Sequence, residues 1–391
     1  VYDVAVVGLG VAGATVATLL AQQGHRVTLL EQADRLRPIG AGVLLQPSGQ
    51  AVLEHLGLRE AVCERAAPIT LLNARHWNGR PLIQTRYTDV HPDCHAYGVH
   101  RGVLFDALHR LLRQTSARIQ PSCEIQSRHV RPDGKVVLHD ACGGEHGPFD
   151  FVLATDGSRS RMRDACGLPA QVTPYQHGTL WIIVPGTGVP GQLLQVVRGN
   201  RNLFGLLPLG DGLVTLYWGV RADDLPTLRQ RGIESLKTEI LAFAPEAESV
   251  LEHVIDWEQL LFTSYQHVHQ PRWYDSHTLF LGDASHAMSP HLGQGVNLAL
   301  LDAWQFAHSL ARCASPRDAF AHYARARRVS LGYYATVTYL LSPFFQSDWS
   351  VLGWGRDWVL PILPHLPWVR RQMGLTVCGL KGGFLRGAMT I

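Results

Sequence analysis

Val4-Ala5-Val6-Val7-Gly8-Leu9-Gly10-Val11-Ala12-Gly13 opens the chain with an apolar run that breaks into three glycines at Gly-x-Gly-x-x-Gly spacing. Residues 2–7 read as a β-branched, apolar strand. Residues 11–23 read as a helix, with Val16, Leu19, Leu20 and Gln23 at helical spacing and Gly24 as its stop. A glycine loop at that junction points free N–H groups and the positive end of a helix dipole at an anion, as a dinucleotide pyrophosphate requires. A second strand, residues 26–30, runs into Glu31. An acidic residue about 20 positions past the glycines is placed to accept a hydrogen bond from a ribose hydroxyl and repels a 2′-phosphate.

Far downstream, Gly282-Asp283-Ala284 follows the apolar stretch 278–281 and leads into Pro290-His291-Leu292-Gly293-Gln294-Gly295-Val296-Asn297. Asp283 therefore lies at a strand's C-terminal edge, where open α/β sheets bind ligands. Gly293 and Gly295 introduce a helix from Val296 to about Arg312, whose N-terminus favours negative charge. Two distant cradles built around one long cofactor point to FAD rather than a nicotinamide dinucleotide as the resident group. Residues 32–62 hold no cysteine, which removes disulfide-reductase chemistry. Arg35 to Gly42 instead offers two cations in a flexible turn, Arg37 being the candidate for a cofactor contact.

A third motif, Asp156-Gly157-Ser158-Arg159-Ser160-Arg161-Met162-Arg163, ends the apolar strand 151–154. The three motifs together resemble the single-component FAD-dependent aromatic hydroxylases, flavoprotein monooxygenases related to 4-hydroxybenzoate and salicylate hydroxylases. His100-Arg101 before a helix matches that family's cofactor-contacting arginine position, and the resemblance covers roughly residues 1–330. It implies an α/β fold: a Rossmann-like FAD-binding domain, an inserted antiparallel β-sheet substrate domain and C-terminal helices. The expected boundaries are 1–72, 98–172 and 272–330 for the FAD-binding domain, 73–97 and 173–271 for the substrate domain, and 331–391 for the helical region. Cofactor contacts are expected from Gly8, Gly10, Val11, Ala12, Gly13, Glu31, Gln32, Arg37, Gly42, Val43, Arg101, Asp156 and Asp283. Pro290, Gly293, Gly295, Val296 and Asn297 complete that set.

The resemblance further implies that NADPH or NADH reduces the flavin. O2 then forms a flavin C4a-hydroperoxide, whose terminal oxygen goes to an electron-rich aromatic or heteroaromatic molecule. One Gly-x-Gly-x-x-Gly loop leaves the nicotinamide a brief, shallow encounter, for which Arg159, Arg161 and Arg163 supply positive charge. Strands at 178–185, 192–198, 202–208 and 213–220, divided by Gly-Asp-Gly and Pro-Gly turns, resemble the family's substrate sheet. Trp181, Phe204, Tyr217, Trp218, Tyr265 and Met288 are candidates for its pocket. Strand alternation allows only one of Tyr217 and Trp218 to face the ligand. A proton acceptor for a phenolic substrate is sought in His291, with His76 and Tyr217 as rivals.

Three other readings stay open. A halogenase of this fold carries Trp-x-Trp-x-Ile-Pro, and Trp181-Ile182-Ile183-Val184-Pro185 lacks its second Trp. A reductase or dehydrogenase acting on an apolar, isoprenoid-like substrate fits the apolar C-terminal stretch. A non-catalytic flavin carrier is the third. Composition bounds all of them. The 391 residues carry a net charge of +3, too small to argue for nucleic acid. Seven cysteines without Cys-x-x-Cys read as reduced thiols of a cytoplasmic protein, and a chain that opens directly in a strand is expected to carry no signal peptide. His91 and His95 have helical metal-site spacing, but Pro92 between them argues against one helix face, and no metal is expected. Prolines cut the Trp-rich residues 333–391 below a bilayer span. Short helices packed on the cofactor domain, closing the substrate pocket or forming a dimer contact, are expected there, in a monomer or homodimer.

Overall fold

The computed structural model describes residues 1–36, 41–384 and 387–389, with Ser350 described in its backbone alone. The opening apolar run becomes the strand Asp3–Val7, at the centre of a five-stranded parallel sheet. The order is Thr278–Phe280, Phe151–Ala154, Asp3–Val7, Arg26–Leu30, Arg118–Gln120. Both faces of this sheet are covered, which is why its strands are apolar without alternation. Val4, Val6, Leu29 and Leu153 pack beneath the helices Val11–Gln22, Arg101–Arg113 and Gly295–Arg312. Ala5, Val7, Val152 and Ala154 face the other way, against Ile125, Val136, Leu138 and Phe149 of a small three-stranded sheet. Parallel pairing gathers the C-terminal ends of the strands on one edge. There Gly8, Glu31, Asp156 and Gly282-Asp283 follow four of the five strands.

A seven-stranded sheet stands apart, in the order Leu261–His269, Gln171–Pro185, Leu213–Arg221, Asn202–Gly210, Gln192–Arg198, Leu71–His76, Pro81–Arg86. The four strands expected from the turns are present. The first begins earlier, at Gln171, because it pairs with Leu261–His269 on both sides of an irregularity between Pro174 and Gly178. Leu180, Ile182, Phe204 and Trp218 pack on the helix Ile233–Phe243, forming a second core. A bridging sheet of Gly42–Leu45, Ala96–His100 and Ala67–Ile69 joins the two layers. At Gly98 a Cβ would stand 1.9 Å from the Pro208 carbonyl oxygen, so only glycine allows that approach.

The helix Pro316–Phe345 runs from the first core, where Phe320 and Tyr323 pack, to a smaller cluster of Leu82, Val197 and Leu203 around Phe345. Beyond it the expectation needs correcting. Ser350–Val359 sits against the seven-stranded sheet rather than the cofactor layer. Leu360 packs with Leu82 and Val197, and Asn200 bonds the Trp349 carbonyl at 2.5 Å. Trp349, Trp354, Trp358 and Trp368 point outward, 59–73% exposed. Only Pro367–Val377 reaches the cofactor side. No described helix is long and apolar enough to cross a membrane.

Candidate cofactor groove and substrate pocket

The three glycines of the first loop divide by role. Gly8 has φ +101°, and a Cβ there would meet the Thr155 carbonyl oxygen at 2.7 Å; at Gly13 it would meet the Gly8 oxygen at 1.9 Å. The protein itself requires these two. At Gly10 a Cβ meets no protein atom within 4 Å, so the close approach reserved there is for something outside the chain. The following helix has no side-chain cap and no acid in its first turn, which leaves its N–H groups for an anion. Glu31 fixes the loop from beneath: its carboxylate accepts from Leu9 N–H at 2.6 Å and Ala33 N–H at 2.9 Å. Loop, Glu31, Gln32 and Asp156 line a cleft of about 410 Å³.

Across this cleft, Asp156 accepts from Met162 N–H at 3.0 Å through one oxygen, while its other oxygen is buried with no partner. Burial raises its carboxyl above the usual range. An unpartnered buried acceptor is costly unless a ligand donor meets it. Asp283 and Arg101 keep exposed side chains at the strand edge although protein crowds both. That crowding raises the Asp283 carboxyl and lowers the Arg101 guanidinium, each opposed by the other's charge. His100 caps the Arg101 helix by accepting from Gly102 N–H at 3.0 Å. These features fit a pyrophosphate, hydroxyl-bearing linker and ring of the FAD type. Arg37, with Pro38, Ile39 and Gly40, lies outside the described residues.

The arginines after Asp156 do not act together. Arg163 is buried and donates to the Ala284 and Ser158 carbonyls, so it braces the two loops instead of meeting a nicotinamide phosphate. Arg161 pairs with Glu124 at 2.7 Å, and Arg159 reaches Ser264 at 3.3 Å.

In the second cradle, Pro290 starts a short turn that ends at Gly293, in left-handed conformation at φ 60°. Asn297 is fully buried and stitches three segments: it accepts from Gln46 N–H at 2.9 Å and donates to the Leu44 and Gly293 carbonyls at 3.0 Å. Through Leu44 it ties the strand carrying Gly42 and Val43 to the loop before Gly295 and Val296. Gly42 itself is pressed against Leu209, where a Cβ would stand 2.2 Å from a methyl carbon. Sequence reading missed Asp302, which is fully buried under this cradle. It accepts from Gly282 N–H at 3.1 Å and Arg327 at 2.8 Å, and lies 2.5 Å from His286. Burial alone would raise its carboxyl; the charges of His286 and Arg327 outweigh that and hold it below the usual range. Its partners are 16 and 25 residues away, so no local pattern announces them.

In the seven-stranded sheet, strand register puts Trp181, Tyr217 and Gly205 opposite one another, on the face that also carries Tyr265. Trp218 takes the opposite face, against Phe243, as alternation requires. The Trp181 indole N–H, the Tyr265 hydroxyl and His291 Nε2 are all buried without a partner. Phe345 links the groups: its ring centroid lies 6.1 Å from that of His291, and it shares an apolar cluster with Tyr217. His291 Nδ1 is 2.8 Å from the Ser289 hydroxyl, which contacts Ser342 at 2.6 Å. Burial pushes the His291 imidazole down to about 4, so it is neutral through the physiological range.

The rivals of His291 fare differently. Tyr217 accepts from Gln195 at 2.9 Å, and burial pushes its phenol well up, so it stays protonated and is no base. His76 sits 3.0 Å from Asp357 on the Trp-bearing helix. Met288 packs with Leu292, Leu298 and Leu331, apart from the aromatic face. His91 and His95 lie in a turn, with His95 bonded to the Asp93 carbonyl and the Tyr97 hydroxyl. Cys123, Asp140 and His146 converge within 4.8 Å, but they bond one another and Asp140 also caps the Cys142 and Gly144 N–H groups.

A family model described as "FAD binding domain" matches residues 1–329. The chain is 28% identical to the 6-hydroxynicotinate 3-monooxygenase of Pseudomonas fluorescens, over 84% of this chain and 88% of that protein. It is 26% identical to the 2-heptyl-3-hydroxy-4(1H)-quinolone synthase of Mycobacteroides abscessus, over 85% and 88%. A tetrameric form of 2-methyl-3-hydroxypyridine-5-carboxylic acid oxygenase shares the fold, with TM-score 0.77 and 23% identity over 87% of this chain and 92% of that one.

Proposed function

The chain belongs to the FAD binding domain family and is an FAD-dependent monooxygenase, and from that premise we propose that it hydroxylates a small aromatic or N-heteroaromatic ring bearing a hydroxyl or oxo group. The observation that supports this reading is His291: a half-buried, neutral imidazole whose Nε2 is itself buried without a partner, beside an aromatic sheet face and on the loop that opens the second cradle. Bound FAD would carry electrons from NADPH or NADH to O2 and activate it, so that one atom of O2 reaches the ring. The chain's own residues do the rest. Trp181 and Tyr217 flank the flat ring, and the Trp181 N–H and Tyr265 hydroxyl orient its polar substituents. Nδ1 of His291, held by Ser289, leaves Nε2 to accept a hydrogen bond from a ring hydroxyl, which polarises the O–H bond and makes the adjacent carbon a better nucleophile. The half-buried aromatic wall excludes water from the reacting edge. By name, one relative oxygenates a hydroxynicotinate and another makes a heptyl-hydroxyquinolone, which is the ring chemistry proposed here.

The test is a panel of hydroxypyridines, hydroxybenzoates and 4-quinolones, incubated with NADPH or NADH under ¹⁸O2. A matching substrate accelerates nicotinamide oxidation and gains one labelled oxygen. Reduction of a polyprenyl substrate with no label incorporated would replace this reading with a reductase of the same fold.

A further inference from the structure

Cys94 and Cys378 are 284 residues apart in the chain, and their sulfurs stand 3.6 Å apart. Cys94 is half-buried in the turn before the strand Ala96–His100 and lines a surface cleft of about 330 Å³ with Glu54, Arg59 and His95. Cys378 is fully buried at the end of the helix Pro367–Val377. Small oxidants therefore reach the pair through Cys94. The environment separates their roles. The hydrogen bond from Cys378 lowers the Cys94 thiol, and the same contact, with burial, raises Cys378. Cys63, Cys123 and Cys166 are instead pushed up to about 11 by burial. A lowered, reachable thiol beside a resolving thiol is the arrangement that oxidises reversibly.

We propose that Cys94 and Cys378 close into a reversible disulfide when hydrogen peroxide enters this cleft. The Cys94 thiolate attacks one peroxide oxygen; the S–O bond forms, the O–O bond breaks, and the leaving hydroxide takes a proton to become water. Cys378 then attacks the sulfenic sulfur, forming the S–S bond and releasing the second water with its own thiol proton. In sum, two thiols and one hydrogen peroxide give one disulfide and two waters, and an external dithiol reverses it by exchange. The bond would staple a segment that already braces the second cradle. Gln294, between Gly293 and Gly295, donates to the Thr376 and Val377 carbonyls at 3.3 and 2.8 Å, and Ser48 N–H donates to the Cys378 carbonyl at 3.1 Å. Closing so long a loop restricts the unfolded chain, so the oxidised protein unfolds at higher temperature.

The experiment treats the FAD-loaded protein with a few equivalents of hydrogen peroxide, alkylates the remaining thiols and maps peptides without reduction. The expected result is a linked Cys94–Cys378 peptide pair lighter by two hydrogens. A melting midpoint several degrees higher should accompany it, and dithiothreitol should reverse both. Cys94→Ser and Cys378→Ser should each remove the link and the shift; if Cys378→Ser does not fold, the half-buried Cys94→Ser carries the same comparison. Cys94 advancing to its sulfinic acid while Cys378 stays alkylatable, a link to another cysteine, or two unreacted thiols would each overturn the proposal.

Discussion

A methyl group on Gly10 meets no protein atom, whereas one on Gly13 would overlap the Gly8 carbonyl. The two substitutions should therefore fail differently. Gly10→Ala is expected to purify folded but colourless, with its flavin affinity lost and the melting point of its FAD-free form unchanged; a yellow variant of unaltered affinity would refute the cradle. Gly13→Ala should lose the fold itself. His291 carries a pH prediction. Its folded imidazole titrates near 4, below the ordinary value of about 6.5. Between those values the unfolded chain binds the proton and the folded one does not, so stability falls as pH drops from 6.5 toward 4. The full difference is on the order of 3 kcal/mol. His291→Gln should flatten urea-unfolding stability across that window and lower kcat by roughly tenfold, the worth of about one well-placed hydrogen bond to the ring hydroxyl.

Elements convert such residues into faces. Because side chains alternate along Leu213–Arg221, neighbours 217 and 218 serve different cores. Trp218→Ala should cost about 3–5 kcal/mol in urea unfolding, as a large side chain removed from a packed core does. Tyr217→Phe removes only a hydroxyl bonded to Gln195 and should cost about 1 kcal/mol. Its effect should appear instead in KM for the ring substrate. Equal losses of stability would mean that both residues serve the core alone. The helix Gly295–Arg312 makes the same point through Asp302, whose loss unpairs His286 and Arg327 in a dry interior. Asp302→Asn should destabilise by about 3–5 kcal/mol, since breaking a buried ion network leaves uncompensated charge. Flavin release should quicken with it, because the Gly282 N–H loses its acceptor.

At the scale of the whole molecule, the groove is built from strand ends, a bridging sheet and a C-terminal helix that meet only in the folded chain. FAD should therefore act as a stabiliser: at a hundredfold excess over Kd it adds about 2.7 kcal/mol, and stripping it should lower the melting midpoint reversibly. A midpoint independent of FAD concentration would dissociate the groove from the fold. The strand, glycine loop, helix and Glu31 are legible in the sequence because each is decided within a few residues, by backbone freedom, periodicity and free N–H groups. So is the gathering of Asp156 and Asp283 with that loop, since parallel strands put their ends on one edge. Arg163 read as a phosphate contact and proved an internal brace, because charge alone does not say which way a side chain turns. The Asp302 network and the meeting of Cys94 with Cys378 depend on burial and on contacts between remote segments. Those have no local period to read, so packing alone decided them.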